Sequence, residues 1–278
     1  MTDVPKELLV ALLDLGLPAH EARWLIEEFA PGADPAARSD VMAAAERRRQ
    51  GEPLQYIIGH WPFRSLDVDV DPRVLIPRPE TEELVDHALA ALAVANVTAP
   101  LVVDLGCGSG VIGLSLLVEL EARGVTAQLL AVDASADALA VARRNAIKHR
   151  CLRVSFVESD WFSALDPSLR GRVDLLVSNP PYVSDEDYES LATELYVEPR
   201  RALTAPSANG VGGFADLARI IAQAPAWLAP HGVLVLEHGH DQGDAAVAAA
   251  RAAGFRAVID HHDLAGHARV LVATDWSA

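Results

Sequence analysis

Asn179-Pro180-Pro181-Tyr182 sets two oxygen acceptors side by side and removes the donors that would compete with them. The Asn179 side-chain oxygen and the Pro180 carbonyl can each take one N–H of a single NH₂ group. The prolines have no N–H and hold the turn stiff. Tyr182 can pack on a flat amide or base. Such a nitrogen is a weak nucleophile, because its lone pair is delocalised. Acceptors that hold its hydrogens would aim the lone pair at an electrophile. Their bonds strengthen as the nitrogen becomes cationic, so they favour the transition state. No general base need act first, and none is evident. The plainer alternative is a rigid proline turn without chemistry. The candidate catalytic residues are therefore Asn179, Pro180 and Tyr182, and the substrate would be held by all four residues, Pro181 included.

A second candidate lies upstream, in Asp104-Leu105-Gly106-Cys107-Gly108-Ser109-Gly110. Glycines between a strand and a helix let backbone N–H groups approach a ligand closely. Asp133 ends the next apolar run and could accept both ribose hydroxyls of an adenosine. Asp160 could accept from an adenine amino group, and Trp161 could flank the ring or simply plug a loop. The candidate cofactor residues are Gly106, Cys107, Gly108, Ser109, Gly110, Asp133, Asp160 and Trp161, with Asn179 at their edge. Dinucleotides and S-adenosylmethionine both fit. The dinucleotide pattern needs a further glycine three residues after the second. Counted from Gly106 and Gly108 that position is Val111, which fails; counted from Gly108 and Gly110 it is Gly113, which passes. The glycines alone leave both classes open. In-line methyl transfer from a sulfonium to nitrogen is the chemistry that would employ both loops.

The hydrophobic pattern supplies a scaffold for these residues. Apolar runs at 101–105, 129–133, 152–157, 173–178, 233–238, 256–260 and 269–273 alternate with helical stretches at 111–122, 135–148, 213–228 and 242–253. That alternation predicts an α/β fold with a seven-stranded, mostly parallel sheet. The link 261–268 is too short for a crossover helix, so one of the last two strands runs antiparallel. The first fifty residues read as helices. Gly16 stops the first, and Pro18 opens a second that runs to about Phe29. A third starts at Asp34-Pro35 or Ser39 and ends in Arg47-Arg48-Arg49, charges that complement a helix dipole. Residues 54–76 alternate Phe63, Leu66, Val68 and Val70 with polar positions, as a β-hairpin does. Three divisions follow: a helical domain at 1–52, a hairpin linker at 53–76 and the α/β domain at 77–278.

Composition narrows the function. The 278 residues carry 23 Lys and Arg against 39 Asp and Glu, a net charge of −16. A hydrophobic fraction of 51% excludes global disorder. No apolar run is long enough to predict a membrane span, and residues 1–10 lack a secretory signal pattern. Two cysteines build no disulfide framework, and a cytoplasmic location is expected. Cys107 reads as a small apolar filler. The negative surplus disfavours a phosphate backbone, so no stable nucleic-acid binding is expected. It also weighs against the adenine amino group of a nucleic acid as substrate. His231, His238, His240, His261, His262 and His267 show no ligand spacing, so no metal is expected. The Arg47–Arg49 run reads as a solvated helix end rather than an RNA contact.

Several motifs in order carry a resemblance. Asn179 to Tyr182 resemble the Asn-Pro-Pro-Tyr class of S-adenosylmethionine-dependent methyltransferases that modify amide or amino nitrogens. Residues Pro53 to Gly59 and Val74 to Glu82 resemble the linker signature of the HemK/PrmC family. Glu198-Pro199, Ala202-Leu203, Glu237-His238-Gly239, Gln242-Gly243, Asp263 and Arg269-Val270 continue the likeness. The stretch 204–213 departs from the family pattern. The resemblance implies a Rossmann-like class I methyltransferase domain behind a small helical domain. It also implies transfer to the glutamine amide of the Gly-Gly-Gln tip of peptide chain release factors, with S-adenosyl-L-homocysteine as product. The helical domain would dock the release factor, and the enzyme would act as a monomer. A ribosomal protein is the alternative protein substrate.

Overall fold

The computed structural model describes residues 6–33, 37–95 and 97–276. Helices α1 (Lys6–Asp14), α2 (Ala19–Phe29) and α3 (Arg38–Arg49) open the chain. Gly16 ends the first in a left-handed conformation, and Pro18 stands immediately before the second. Ser39 lies in the first turn of α3, whereas Asp34 and Pro35 lie outside the described residues. Leu12, Leu25, Ile26, Val41 and Ala45 bury against one another in a small core of their own.

A short helix, α4 (Leu54–Ile58), occupies the start of the segment read as hairpin. Pro53 precedes it and Gly59, at φ +87°, turns the chain out of it. Leu54 and Ile57 join the helical core. The hairpin itself is narrower than 54–76: β1 (His60–Phe63) pairs antiparallel with β2 (Leu66–Asp69). Phe63, Leu66, Val68, Val74 and Ile76 bury in the core of the large domain. The segment 53–76 thus divides its apolar residues between two cores.

The large domain continues with α5 (Glu80–Ala95), β3 (Leu101–Leu105), α6 (Val111–Ala122), β4 (Gln128–Asp133), α7 (Ala136–Lys148), β5 (Val154–Glu158) and β6 (Val173–Ser178). It ends with α8 (Asp185–Tyr188), α9 (Arg200–Leu203), α10 (Ala215–Gln223), β7 (Leu228–Glu237), α11 (Gly243–Ala252), β8 (Phe255–His262) and β9 (Ala268–Trp276). The seven-stranded sheet has the order β5-β4-β3-β6-β7-β9-β8. Only β9 runs opposite to the other six strands, which settles which of the last two strands reverses. Side chains alternate across the sheet: Val102 enters the core on one face, and Val103 and Leu105 the core on the other.

Strands β5, β8 and β9 differ from their expected bounds by one to three residues, and two boundaries differ by five. The helix expected over 213–228 ends at Gln223, where Pro225 cannot supply a helical N–H and a 3-10 turn follows. Strand β7 then starts at Leu228, paired with Val173, five residues before its continuous apolar run. The sheet order reverses between β3 and β6, so their C-terminal ends flank the crevice in which ligands bind on such sheets. Both candidate loops leave the sheet there. No helix among the described residues is long and apolar enough to cross a membrane.

Candidate active site

The Asn179 loop leaves β6 beside the end of β3. Ser178 Oγ donates to the Leu105 carbonyl at 2.6 Å and fixes the two strand ends together. Asn179 and Pro181 line a cavity of about 700 Å³. The Asn179 amide Nδ2 donates to Thr81 Oγ1 at 3.2 Å, and that hydroxyl donates to Glu237 Oε2 at 2.7 Å. Tyr182 does not line the cavity. Its phenol sits against Glu237 Oε1 at 3.4 Å, and burial pushes its ionisation well above the ordinary value. Glu237 is fully buried, and its carboxyl is pushed up to about 7, burial outweighing the Thr81 bond and the nearby Arg269 charge.

The back of this loop is held by residues outside the candidate list. Gln242 Nε2 donates to the Tyr182 carbonyl at 3.0 Å and to the Gly212 carbonyl at 2.7 Å. Gly213, at φ +64°, packs so closely that a Cβ would overlap the Tyr182 carbonyl. The stretch 204–213, which departs from the family pattern, therefore still braces the loop. The buried Glu198 accepts from the Ile76 N–H at 2.9 Å and from the Arg78 guanidinium. That contact straps the segment before α5 across the site.

The glycine loop forms another wall of the cavity. Gly106, Gly108 and Gly110 all have positive φ. Gly106 faces the Trp161 ring, where a Cβ would lie 3.3 Å from Cζ3. Asp133 accepts from the Gly108 N–H and the Ser135 N–H, both at 2.9 Å, which leaves lone pairs on each oxygen for a ligand. Burial raises its ionisation, against the pull of those two bonds. Asp104 is buried beneath the loop: Oδ2 accepts from Gly113 N–H at 3.0 Å, Oδ1 has no partner, and burial pushes the carboxyl up to about 7. A Cβ on Gly113 would come within 2.8 Å of Leu129. Gly113 is thus explained by close packing of α6 on β4, and the dinucleotide count that used it loses its basis.

Gly106, Gly108, Asp133, Asp160, Trp161, Asn179 and Pro181 meet around one cavity. Cys107, Ser109, Gly110, Pro180 and Tyr182 lie behind its wall. Cys107 is buried with its thiol ionisation pushed up by burial, as a filler rather than a nucleophile. The Ser109 carbonyl accepts from Asn145 Nδ2 at 2.9 Å. Trp161 and Asp160 are both tied to α10: the indole Nε1 donates to Asp216 Oδ1 at 3.0 Å, and the Asp160 carboxylate receives Arg219 Nη1 at 2.9 Å. Of the site-supporting residues, Thr81, Glu237 and Gln242 fall within stretches that carry the family resemblance, though no local pattern gave them this role, and Gly213 and Asp216 gave no such signal. The arginine run is neutralised within the chain, Arg47 by Glu52, Arg48 by Glu21 and Glu194, and Arg49 by Glu46. No group of three or more His, Cys, Asp or Glu side chains among the described residues could hold a metal.

Comparison with known proteins bears on this geometry. The family model described as "Methyltransferase small domain" matches residues 81–208, which spans Thr81, the glycine loop and the Asn179 loop. The release factor glutamine methyltransferase of Bordetella pertussis is 41% identical over 271 residues, covering 93% of this chain and 96% of that protein. The chain belongs to the release factor glutamine methyltransferase family. The Burkholderia pseudomallei protein of the same name is 42% identical over 258 residues, covering 90% of this chain and 86% of its own. A crystal structure of a ribosomal protein L11 methylase from Lactobacillus delbrueckii subsp. bulgaricus shares the fold, with a TM-score of 0.52 over 77% of this chain and 97% of that one. At 17% identity that likeness concerns the fold alone. As a release factor glutamine methyltransferase family member, the chain is a methyltransferase, and the resemblance read from its motifs holds over nearly its whole length.

Proposed function

We propose that this enzyme transfers the methyl group of S-adenosyl-L-methionine to the side-chain amide nitrogen of the glutamine in a release factor's Gly-Gly-Gln tip. S-adenosyl-L-homocysteine is the second product. The observation that carries this reading is Asn179 on the cavity wall, its NH₂ committed to Thr81 and its Oδ1 without a protein partner among the described residues. An acceptor fixed in that direction suits an incoming amide NH₂.

The residues across the cavity suit the methyl donor. Asp133 retains free lone pairs for ribose hydroxyls, Trp161 offers a ring face beside Gly106, and the glycine loop lets backbone approach closely. When bound, the sulfonium supplies an electrophilic methyl group. The chain's own residues orient the amide. Asn179 Oδ1 takes one amide hydrogen, and that bond strengthens as the nitrogen gains positive charge, after which the methylated nitrogen gives up one proton; Pro180, expected as the second acceptor, does not line the cavity. Asp160 is held by Arg219 and contributes at the rim. Helices α1 to α3 form the proposed docking domain, linked to the segment Thr193–Val197 through the Arg48–Glu194 ion pair at 2.8 Å.

Transfer of labelled methyl from S-adenosylmethionine to purified release factor tests the reading. Asn179→Ala should lower kcat by about 10²- to 10³-fold, as loss of one aimed polar partner does, while cofactor affinity changes little. Undiminished transfer by that variant would refute the role of Asn179.

A further inference from the structure

We propose that Thr81 and Glu237 form a directional relay that sets which way the Asn179 amide faces. They act as positioning residues; neither lines the cavity. The inference rests on the proposed role of Asn179 as acceptor for the substrate amide. The two ends of an asparagine amide are nearly equal in shape, so only hydrogen-bond chemistry can choose between them. If the amide turned over, it would present a donor to a substrate NH₂, and the site would repel what it must hold.

The geometry makes the choice. Thr81 Oγ1 has one hydrogen. An ionised Glu237 carboxylate only accepts, so that hydrogen goes to Glu237 Oε2 at 2.7 Å. The hydroxyl then has only lone pairs left for Asn179, which must turn its Nδ2 toward it at 3.2 Å. Polarity thus passes from a carboxylate at the end of β7, through the first turn of α5, to the loop after β6. Thr81 and Glu237 are both buried, 3% and 1% exposed, so water does not offer either hydroxyl or carboxylate a substitute partner. The groups that bear on Glu237 are Thr81 and Glu80 on α5, Tyr182 after Pro181, and Arg269 on β9. A protonated Glu237 can donate to Thr81 and reverse the chain, which releases the amide.

The test uses the full-length enzyme with S-adenosylmethionine and purified release factor, at saturating cofactor. Thr81→Val removes the hydroxyl at nearly constant shape. It is expected to lower kcat by about 10- to 100-fold, the scale of a small misplacement of a reacting group, with KM for the release factor and cofactor affinity within a few-fold. Thr81→Ser keeps the hydroxyl and should recover most of that loss. Wild-type kcat should rise with pH through about 7, where Glu237 ionises. Glu237→Gln, which forces no direction on Thr81 and serves also if Thr81→Val does not fold, should lower kcat and flatten that rise. Thr81→Val with wild-type kcat, a loss shared by Thr81→Ser, or an unchanged pH rise in Glu237→Gln would overturn the relay. Full transfer by Asn179→Ala would overturn the reading beneath it instead.

Discussion

The indole of Trp161 and the carboxylate of Asp216 are joined by a 3.0 Å hydrogen bond that spans 55 residues of sequence. Trp161 itself sits at φ +51°, an unfavourable backbone region for a bulky residue, so the surrounding contacts must hold it there. The bond keeps the ring against Gly106, on the proposed cofactor wall. Asp216→Ala should weaken binding of S-adenosylhomocysteine by about 10-fold, the value of one charge-assisted bond, as read by titration calorimetry. Asp216→Asn retains an acceptor and should stay close to wild type. Equal affinity in all three would mean that the ring needs no such support.

Gly213 offers a separation of substrate handling from cofactor binding. It touches the back of the Asn179 loop, where a Cβ would overlap the Tyr182 carbonyl, and its positive φ strains any other residue. Gly213→Ala should push the loop toward the cavity and lower kcat by about 10²-fold. Cofactor affinity should remain near wild type, because the glycine loop is on the other side of the crevice. A fall in cofactor affinity as large as that in kcat would place the damage elsewhere.

Asn145 joins the hairpin to the glycine loop. Its Oδ1 accepts from Asp69 N–H at 2.7 Å, and its Nδ2 donates to the carbonyls of Asp69 and Ser109 at 3.1 and 2.9 Å. The side chain is fully buried. Asn145→Ala strands backbone groups away from water and should cost about 3 kcal/mol of stability, measured by urea denaturation. A change below about 1 kcal/mol, the size of an ordinary exposed substitution, would contradict that account.

His60 makes the seat of the helical domain sensitive to pH. Its Nδ1 meets Asp67 Oδ1 of the hairpin at 2.6 Å and its Nε2 meets Glu28 Oε2 of α2 at 3.0 Å. Burial opposes the imidazolium, but the two carboxylates outweigh it and raise its pKa above the ordinary 6.5. The raised value means that the clamp is fully present below about 6.5 and is lost as pH climbs through the folded-state pKa. Hydrogen exchange of α2, corrected for intrinsic rates, should therefore show more opening at pH 8 than at pH 6. His60→Gln should remove the difference, and an unaltered difference in that variant would assign it to another group.

Much of this architecture was legible because short-range patterns decide it. The runs at 101–105 and 173–178 match β3 and β6, and the glycines after Leu105 and the prolines after Asn179 mark where the crevice opens. The start of β7 was not legible: Pro230 and His231 look like a loop, and only pairing of Leu228 with Val173 makes them strand. Asp67 and Asp69 alternate with apolar residues along the hairpin, which gives no hint that Lys148 on α7 reaches both, at 2.9 and 2.8 Å. The support of the site was the least visible part. Thr81 precedes Asn179 by 98 residues and Glu237 follows Thr81 by 156, so no local period or motif spacing could join them.

Mass spectrometry of release factor peptides after incubation with this enzyme and S-adenosylmethionine tests the central claim most directly. The expected result is the mass of one added methyl group, with fragmentation locating it on the glutamine of the Gly-Gly-Gln tip, and its loss when Asn179→Ala replaces the wild type. An unmodified tip, alongside methyl groups on another protein or on nucleic acid, would contradict the claim.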